Sequence, residues 1–181
     1  MKNADLAILG LIVEKPRYGY EIDQVIEARN MRDWTEIGFS SIYHILNRLE
    51  KNGYLTARLE APQGRGPARK VYEITEDGRA AWYQATLDAL SNPVKNERPF
   101  YLGMAGLSAV PKEEALQALD RYSRQLRENR ELVYARRMEV RDDNDFFFVD
   151  AMFDYGLELL DVEINWIETF KQRLTDHDRS G

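Results

Sequence analysis

The run from Gly38 to Thr75, GFSSIYHILNRLEKNGYLTARLEAPQGRGPARKVYEIT, leaves little freedom in how this chain folds. Ile42, Ile45, Leu46 and Leu49 recur at helical spacing and form one apolar stripe. Ser40 or Ser41 stands at the start as a polar cap for the free backbone N–H groups of the first turn. Gly53 follows as the stop. Leu55, Ala57 and Leu59 then alternate with Thr56 and Arg58, and Tyr72 and Ile74 alternate with Val71 and Glu73, the period of half-buried strands. Between them, Ala61 to Lys70 holds two prolines and two glycines, which forbid regular structure.

The chemistry on this frame is one-sided. The helix face opposite the stripe carries Ser41, Tyr43, His44, Asn47, Arg48 and Lys51, nearly all hydrogen-bond donors, and the loop carries Arg65, Arg69 and Lys70. Taken alone, the loop is also an ordinary hairpin turn with solvated charges. Preceded by a donor-rich helix, it has the order of a winged-helix nucleic-acid reader, in which the loop rides along a phosphate backbone. The whole chain is acidic, with a net charge of -6, against the usual signature of a DNA binder. Local counting resolves this: Ser41 to Lys70 holds six Lys/Arg against two Asp/Glu, and Asn92 to Gly181 holds thirteen against eighteen. Positive charge is concentrated where a phosphate contact needs it.

The remainder reads as helices around and after this unit. Residues 3–13 fit a first helix with Leu6, Leu9 and Ile12 (and Ile8 beside them) inward, ended by Pro16. Its apolar run, Leu6 to Val13, is too short to span a bilayer, so no membrane association is expected. Gly19 opens a second helix to about Ala28 with Ile22, Val25 and Ile26 apolar, and Met31 to Ile37 links it to the third as a turn or strand-like segment. Thr75 caps a fourth helix to about Leu90, burying Ala81, Trp82, Ala85 and Leu87 or Leu90. Ser91-Asn92-Pro93 marks the boundary, giving a winged-helix DNA-binding domain over 1–91 and a helical dimerisation or effector domain over 92–181. In the second, a long helix from Pro111 to about Arg141 carries Leu116, Leu119, Tyr122, Leu126 and Val133. Another, from Phe147 to about Leu174, carries Met152, Phe153, Leu159, Leu160, Val162, Trp166, Ile167, Phe170 and Leu174. Such a pair has more apolar surface than a two-helix hairpin covers. A second copy of the chain is the favoured cover, with Leu116, Leu119, Leu126, Phe153, Leu160, Trp166, Ile167 and Phe170 as its contacts; packing on its own wing domain is the alternative. The fold class expected is thus mainly α: an N-terminal winged helix-turn-helix of three helices plus a two-stranded wing, and a C-terminal antiparallel long-helix dimerisation domain.

The first half resembles the PadR family of bacterial transcriptional regulators. The resemblance rests on Tyr18-Gly19-Tyr20-Glu21-Ile22, on Ser40-Ser41-Ile42-Tyr43, on Leu46 through Leu55 (LNRLEKNGYL) and on Arg69 through Gly78 (RKVYEITEDG), together covering about residues 4–90. The helical second half is similar to the larger subfamily with a C-terminal dimerisation domain, by length and helical character. The resemblance implies a homodimeric repressor that binds an operator and releases it when an effector binds. It also implies DNA contact by Tyr43, by Ser40 and Ser41 and by the basic wing residues, with Tyr18 reaching a phosphate. Asn47 or Arg48 can reach base edges, and His44, in the family's variable part of the helix, is a specificity candidate or a solvated histidine.

Enzyme chemistry has little to work with. The only histidines are His44 and His177, and the chain has no cysteine, which excludes a zinc site of usual type and suits a reducing cytoplasm. Asp142-Asp143-Asn144-Asp145 fails as a calcium loop, with Phe147 at its sixth position and Phe153 at its twelfth. No metal and no cofactor is expected. The aromatics Phe146, Phe147, Phe148, Phe153, Tyr155 and Trp166 are core, dimer contact or the lining of a pocket for a small hydrophobic or aromatic effector. The competing functional reading is a winged-helix module that binds protein without binding DNA.

Overall fold

Helix α1 (Asn3–Glu14) is apolar nearly all round, and the structure shows why: α3, α4 and β3 all pack against it. Ile8, Leu9, Leu11 and Ile12 are buried, so the helix presents no single inward stripe, and Leu6 is only half-buried. The computed structural model describes residues 1–35, 37–61, 68–93, 99–140 and 146–176. They fall into two compact units, Met1–Lys95 and Asn96–Gly181.

In the first unit, α1 is followed by β1 (Arg17–Tyr18), α2 (Gly19–Ala28), a short 3-10 turn (Met31–Asp33), α3 (Phe39–Lys51), β2 (Leu55–Glu60), β3 (Arg69–Ile74) and α4 (Glu76–Ser91). The link between α2 and α3 is therefore a helical turn, pinned by Met31 and Ile37 in the core and by the Thr35 hydroxyl, which donates to the Met31 carbonyl at 2.6 Å. Ile22, Ile26, Ile42, Leu46, Leu49 and Leu55 join the α1 residues in one core. Each such side chain contributes about 1.5–3 kcal/mol on burial.

The sheet has three strands, one more than the expected wing, in the order β1-β3-β2, all antiparallel. Arg17 lies opposite Tyr72 and Tyr18 opposite Val71, so β3 is the central strand, with both Val71 and Tyr72 buried. Two residues between Pro16 and a helix are too few to show a strand period, which is why β1 is not visible in the pattern. Leu59, expected on the buried face, is 76% exposed because β2 there runs out beyond the core with Lys70 as its ladder partner. Arg69 and Lys70, expected in the loop, open β3.

The junctions are tightly specified. Gly53 at φ +77° ends α3 with paired bonds, its own N–H to the Glu50 carbonyl and the Tyr54 N–H to the Leu49 carbonyl, both 2.9 Å. The Thr75 hydroxyl caps α4 by accepting from the Gly78 N–H at 2.9 Å and donates to the Gly53 carbonyl at 2.7 Å. A β-carbon on Gly78 would lie 2.0 Å from the Tyr54 carbonyl oxygen, so this helix start accepts only glycine. Along α4, Ala81, Trp82 and Ala85 are half-buried, whereas Leu87 and Leu90 are exposed.

In the second unit, α5 (Pro99–Ala105) and a 3-10 turn (Leu107–Ala109) precede the long helices α6 (Lys112–Glu139) and α7 (Phe146–Asp176), which form an antiparallel pair. Ala115, Leu119 and Ser123 on α6 and Leu157, Ile164 and Ile167 on α7 are buried in the seam. Polar pairs lace its edges: Arg130 grips Asp161 with two bonds of 2.6 and 3.0 Å, and Arg137 grips Asp150 with two of 2.7 and 2.9 Å. Near the other end the Ser123 hydroxyl donates to Glu168 at 2.6 Å, and Lys171 bridges Glu168 and Asp120 at 2.9 and 2.5 Å. The Ser123 bond first, then Lys171 and Arg127, pushes the Glu168 carboxyl from its ordinary 4.5 down to about 2.

The depressed Glu168 value means its contribution is complete above about pH 4.5 and is lost as pH falls through about 2. Thermal melts of the wild type and Glu168→Gln should therefore differ at neutral pH, with the wild type the more stable, and converge as pH approaches 2. A difference that does not change with pH would show that the carboxylate charge plays no part.

Candidate nucleic-acid interface

Burial of Ile42, Ile45, Leu46 and Leu49 sets the rotation of α3 and turns Phe39, Ser40, Tyr43, His44, Asn47 and Lys51 outward. The helix begins earlier than its serines suggest. Gly38 is the N-cap, no side chain caps the helix, and the Ser41 hydroxyl donates to the Gly38 carbonyl at 2.6 Å. Glycine accepts the extended N-cap backbone without competing for the N–H groups, so the serines sit within the first turn. The Ser41 N–H is used within that turn, donating to the Gly38 carbonyl at 3.1 Å, and no side chain caps the N–H groups of Phe39 and Ser40.

Tyr43 does not stand free of the fold. Its ring lies against the start of α2, where a β-carbon on Gly19 would come within 2.7 Å of the tyrosine Cε1. Phe39, one turn earlier, meets the Tyr43 ring edge-on with centroids 6.2 Å apart. The neighbour of Gly19, Tyr18, is half-buried in β1, and the Arg69 guanidinium sits 4.8 Å over its ring. Phe39, Tyr43, Gly19, Tyr18 and Arg69 thus make one continuous row, from the first turn of the outward helix to the central strand of the wing. Tyr18, Tyr43 and Arg69 are brought together by this row, although they are far apart in sequence.

Other expected site residues have different surroundings. The Arg48 guanidinium turns toward α1 and is ion-paired with Asp5, whose side chain is only 11% exposed. Arg48 is thereby directed away from the open face that holds His44 and Asn47. Lys70 is held by Glu50 at 2.6 Å and lies 5.2 Å over the Tyr72 ring. The hydrogen bond it donates to the Glu50 carboxylate is the main cause that keeps its ammonium above the usual lysine range. One of the two carboxylates between Ser41 and Lys70 is thus neutralised locally, and the other, Glu60, is paired with Arg58 at 2.8 Å. Arg65 lies outside the described residues, as do Asp142, Asp143, Asn144, Asp145 and His177.

Sequence reasoning missed Arg17, Gly19 and Phe39. Arg17 is buried and clamps α1 to α2, donating to the Leu11 carbonyl at 2.9 Å, to Glu14 at 2.8 Å and to Glu21 at 3.0 Å. Burial pushes the Glu14 carboxyl up, but bonds and charge from Arg29 and then Arg17 outweigh it and hold the group below its ordinary value. The available signal was the flanking acid at i−3 and i+4. No sequence signal tied Gly19 to Tyr43.

The expected dimer contacts differ in burial within the chain. Leu119 and Ile167 are buried in the α6–α7 seam, and Leu116, Leu126, Phe153, Leu160 and Phe170 are half-buried. Of the eight, Trp166 alone is classed as exposed, although it stacks on Phe170 at 5.1 Å and meets Phe100 edge-on at 6.0 Å. A second stripe remains open on α7: Phe148, Met152, Tyr155, Leu159, Val162 and Trp166, each between 45% and 72% exposed. Steps of four, three, four, three and four residues place them on one face. Phe147, Phe148 and Tyr155 stand at the surface, so they do not enclose a hollow, and the side chain of Phe146 is outside the described residues. A hollow of about 380 Å³ between α6 and α7 is lined by Leu116 and by the stems and heads of polar residues, among them Asp120, Glu168 and Lys171, with no aromatic ring in its wall. Among the described residues no cluster of acids and histidines forms a metal site, and no helix is long and apolar enough to cross a membrane.

Comparison with known proteins converges. Residues 8–84 match the model of the transcriptional regulator PadR-like family. A curated Lysinibacillus sphaericus protein is 41% identical over 76 residues, which cover 42% of this chain and 68% of that one. Bacillus subtilis PadR in complex with operator DNA is similar in fold, with a TM-score of 0.79 at 20% identity over 96% of this chain and 99% of that one. The same protein with p-coumaric acid gives 0.76 at 20% identity over 94% and 98%. The PadR-like regulator BC1756 from Bacillus cereus gives 0.68 at 19% identity over 96% and 98%.

The Asp5–Arg48 pair generates a direct test on stability. In urea unfolding, the Asp5→Asn, Arg48→Gln and double variants should show a coupling of about 0.5–1 kcal/mol, the upper part of the range for a partly exposed pair. Additive losses would mean that the pair does not act as a unit.

Proposed function

The chain belongs to the PadR-like family of transcriptional regulators, and on that premise we propose that it is a homodimeric repressor that binds an inverted-repeat operator. The observation that carries this reading is the row from Phe39 through Tyr43, Gly19 and Tyr18 to Arg69, which joins the outward face of α3 to the wing. A reading helix and a basic strand coupled in this way engage a groove and its flanking phosphates as one surface. Residues 1–91 form the DNA-binding domain. Ser40, Ser41, Tyr43, His44 and Asn47 meet the groove and its edges, and Tyr18, Arg69, Lys70 and Arg65 meet the backbone. Arg48 is assigned to holding α3 on α1. Residues 92–181 form the dimerisation and effector domain. The open stripe on α7 supports pairing with a second copy, because six large apolar side chains at heptad spacing match the seam of paired helices.

Release by a small hydrophobic or aromatic effector completes the reading. Bacillus subtilis PadR has been captured with p-coumaric acid, and the stacked Phe100, Tyr122, Trp166 and Phe170 supply aromatic surface of matching character here. The protein works in the cytoplasm and performs no catalysis.

Two measurements test this. Removing a single phosphate-neutralising side chain should lower the slope of log affinity against log salt by about 0.9. Arg69→Ala, acting once in each half-site, should reduce it by about 1.8 in fluorescence anisotropy. A slope that does not change would remove Arg69 from the interface. In sedimentation, the 21.1 kDa chain should run as a dimer, and Leu159→Glu should convert it to a monomer with weakened DNA affinity. A wild-type monomer at micromolar concentration would contradict the pairing.

A further inference from the structure

We propose that Phe39 reads thymine, its ring packing on the C5-methyl group of one thymine in each half-site; this rests on the DNA-binding reading above. Phe39 is the first residue of α3 and is 54% exposed. A lone exposed phenylalanine carries no message by itself. Its position does. It lies four residues before Tyr43, on the same outward face, and the edge-on contact with the Tyr43 ring holds it at the helix start. Gly38 before it has no side chain, and no side-chain cap folds over the turn. Nothing in the described residues of this turn stands between the ring and an approaching duplex.

The first turn of a reading helix is the part that comes closest to base edges. The outward groups beside Phe39 are Ser40, Tyr43, His44 and Asn47, all hydrogen-bonding. An apolar ring among them has one apolar feature to meet in the major groove, the thymine methyl. The competing role is purely internal, with Phe39 acting as a buttress that keeps Tyr43 upright. That role makes no reference to the methyl group, so the two are separable.

The experiment uses the full-length protein and the duplex it selects from random sequence. Thymines are replaced one at a time by deoxyuridine, which deletes only the methyl, and affinities are compared for wild type and Phe39→Ala. Alanine is a strong helix former at an exposed site, and the wild-type comparison stands even if the variant is impaired. The wild type should lose about fourfold for each contacted methyl, at one thymine position per half-site, while Phe39→Ala is indifferent there. Wild-type indifference to every replacement would overturn the thymine contact and leave DNA binding intact. An equal loss in both proteins would assign the methyl to another residue and overturn it equally. If the protein selects no duplex at all, the DNA-binding reading fails, and this inference fails with it.

Discussion

The rotation of α3 about its own axis is the constraint on which the rest of this structure depends. Ile42, Ile45, Leu46 and Leu49 bury against the other helices and β2, and a helix turned by even one residue would put Tyr43 or Asn47 into that core. Burial alone sets the angle only as sharply as apolar packing can. The Asp5–Arg48 pair at one end and Gly19 against Tyr43 at the other add directional contacts. The glycine stop at Gly53, bonded through Thr75 to the start of α4, then fixes where β2 departs. The wing is therefore positioned by the same helix that presents the outward donors.

The acidic net charge and the basic site are compatible because charge is compartmentalised. Around the outward face of α3 and the wing, Glu50 and Glu60 are tied to Lys70 and Arg58, so both acids between Ser41 and Lys70 are countered locally. In the second unit, Asp150, Asp161 and Glu168 are paired with arginine and lysine along the α6–α7 edges. Those acids hold the hairpin together. A single long helix, α7, then carries two seams: one against α6, centred on Leu157, Ile164 and Ile167, and one open to solvent from Phe148 to Trp166. Helix α6 covers the first of these seams, and the second is the face assigned above to the proposed pairing with another copy.

Much of this architecture was legible in the residues. The order of helix and two strands, the buried stripe of α3, the stop at Gly53 and the cap at Thr75 all follow from local patterns that the structure bears out. What escaped is tertiary. β1 is two residues long and exists because β3 offers it an edge. Arg48 has the sequence position of an outward donor, but an acid 43 residues earlier holds it toward α1. Heptad spacing flagged long helices that pair, but it did not separate the inner seam from the outer one. That separation depends on where α6 lies, which periodicity along α7 does not encode.

The central claim is that the α3 face and the wing read DNA sequence as a symmetric pair. The most direct measurement is selection from random double-stranded DNA with the purified protein, followed by sequencing of what it retains. The account predicts one enriched inverted repeat, with half-site centres about one or two helical turns apart. Recovery of no enriched sequence at low salt would contradict it and leave a protein-binding winged-helix module as the better description.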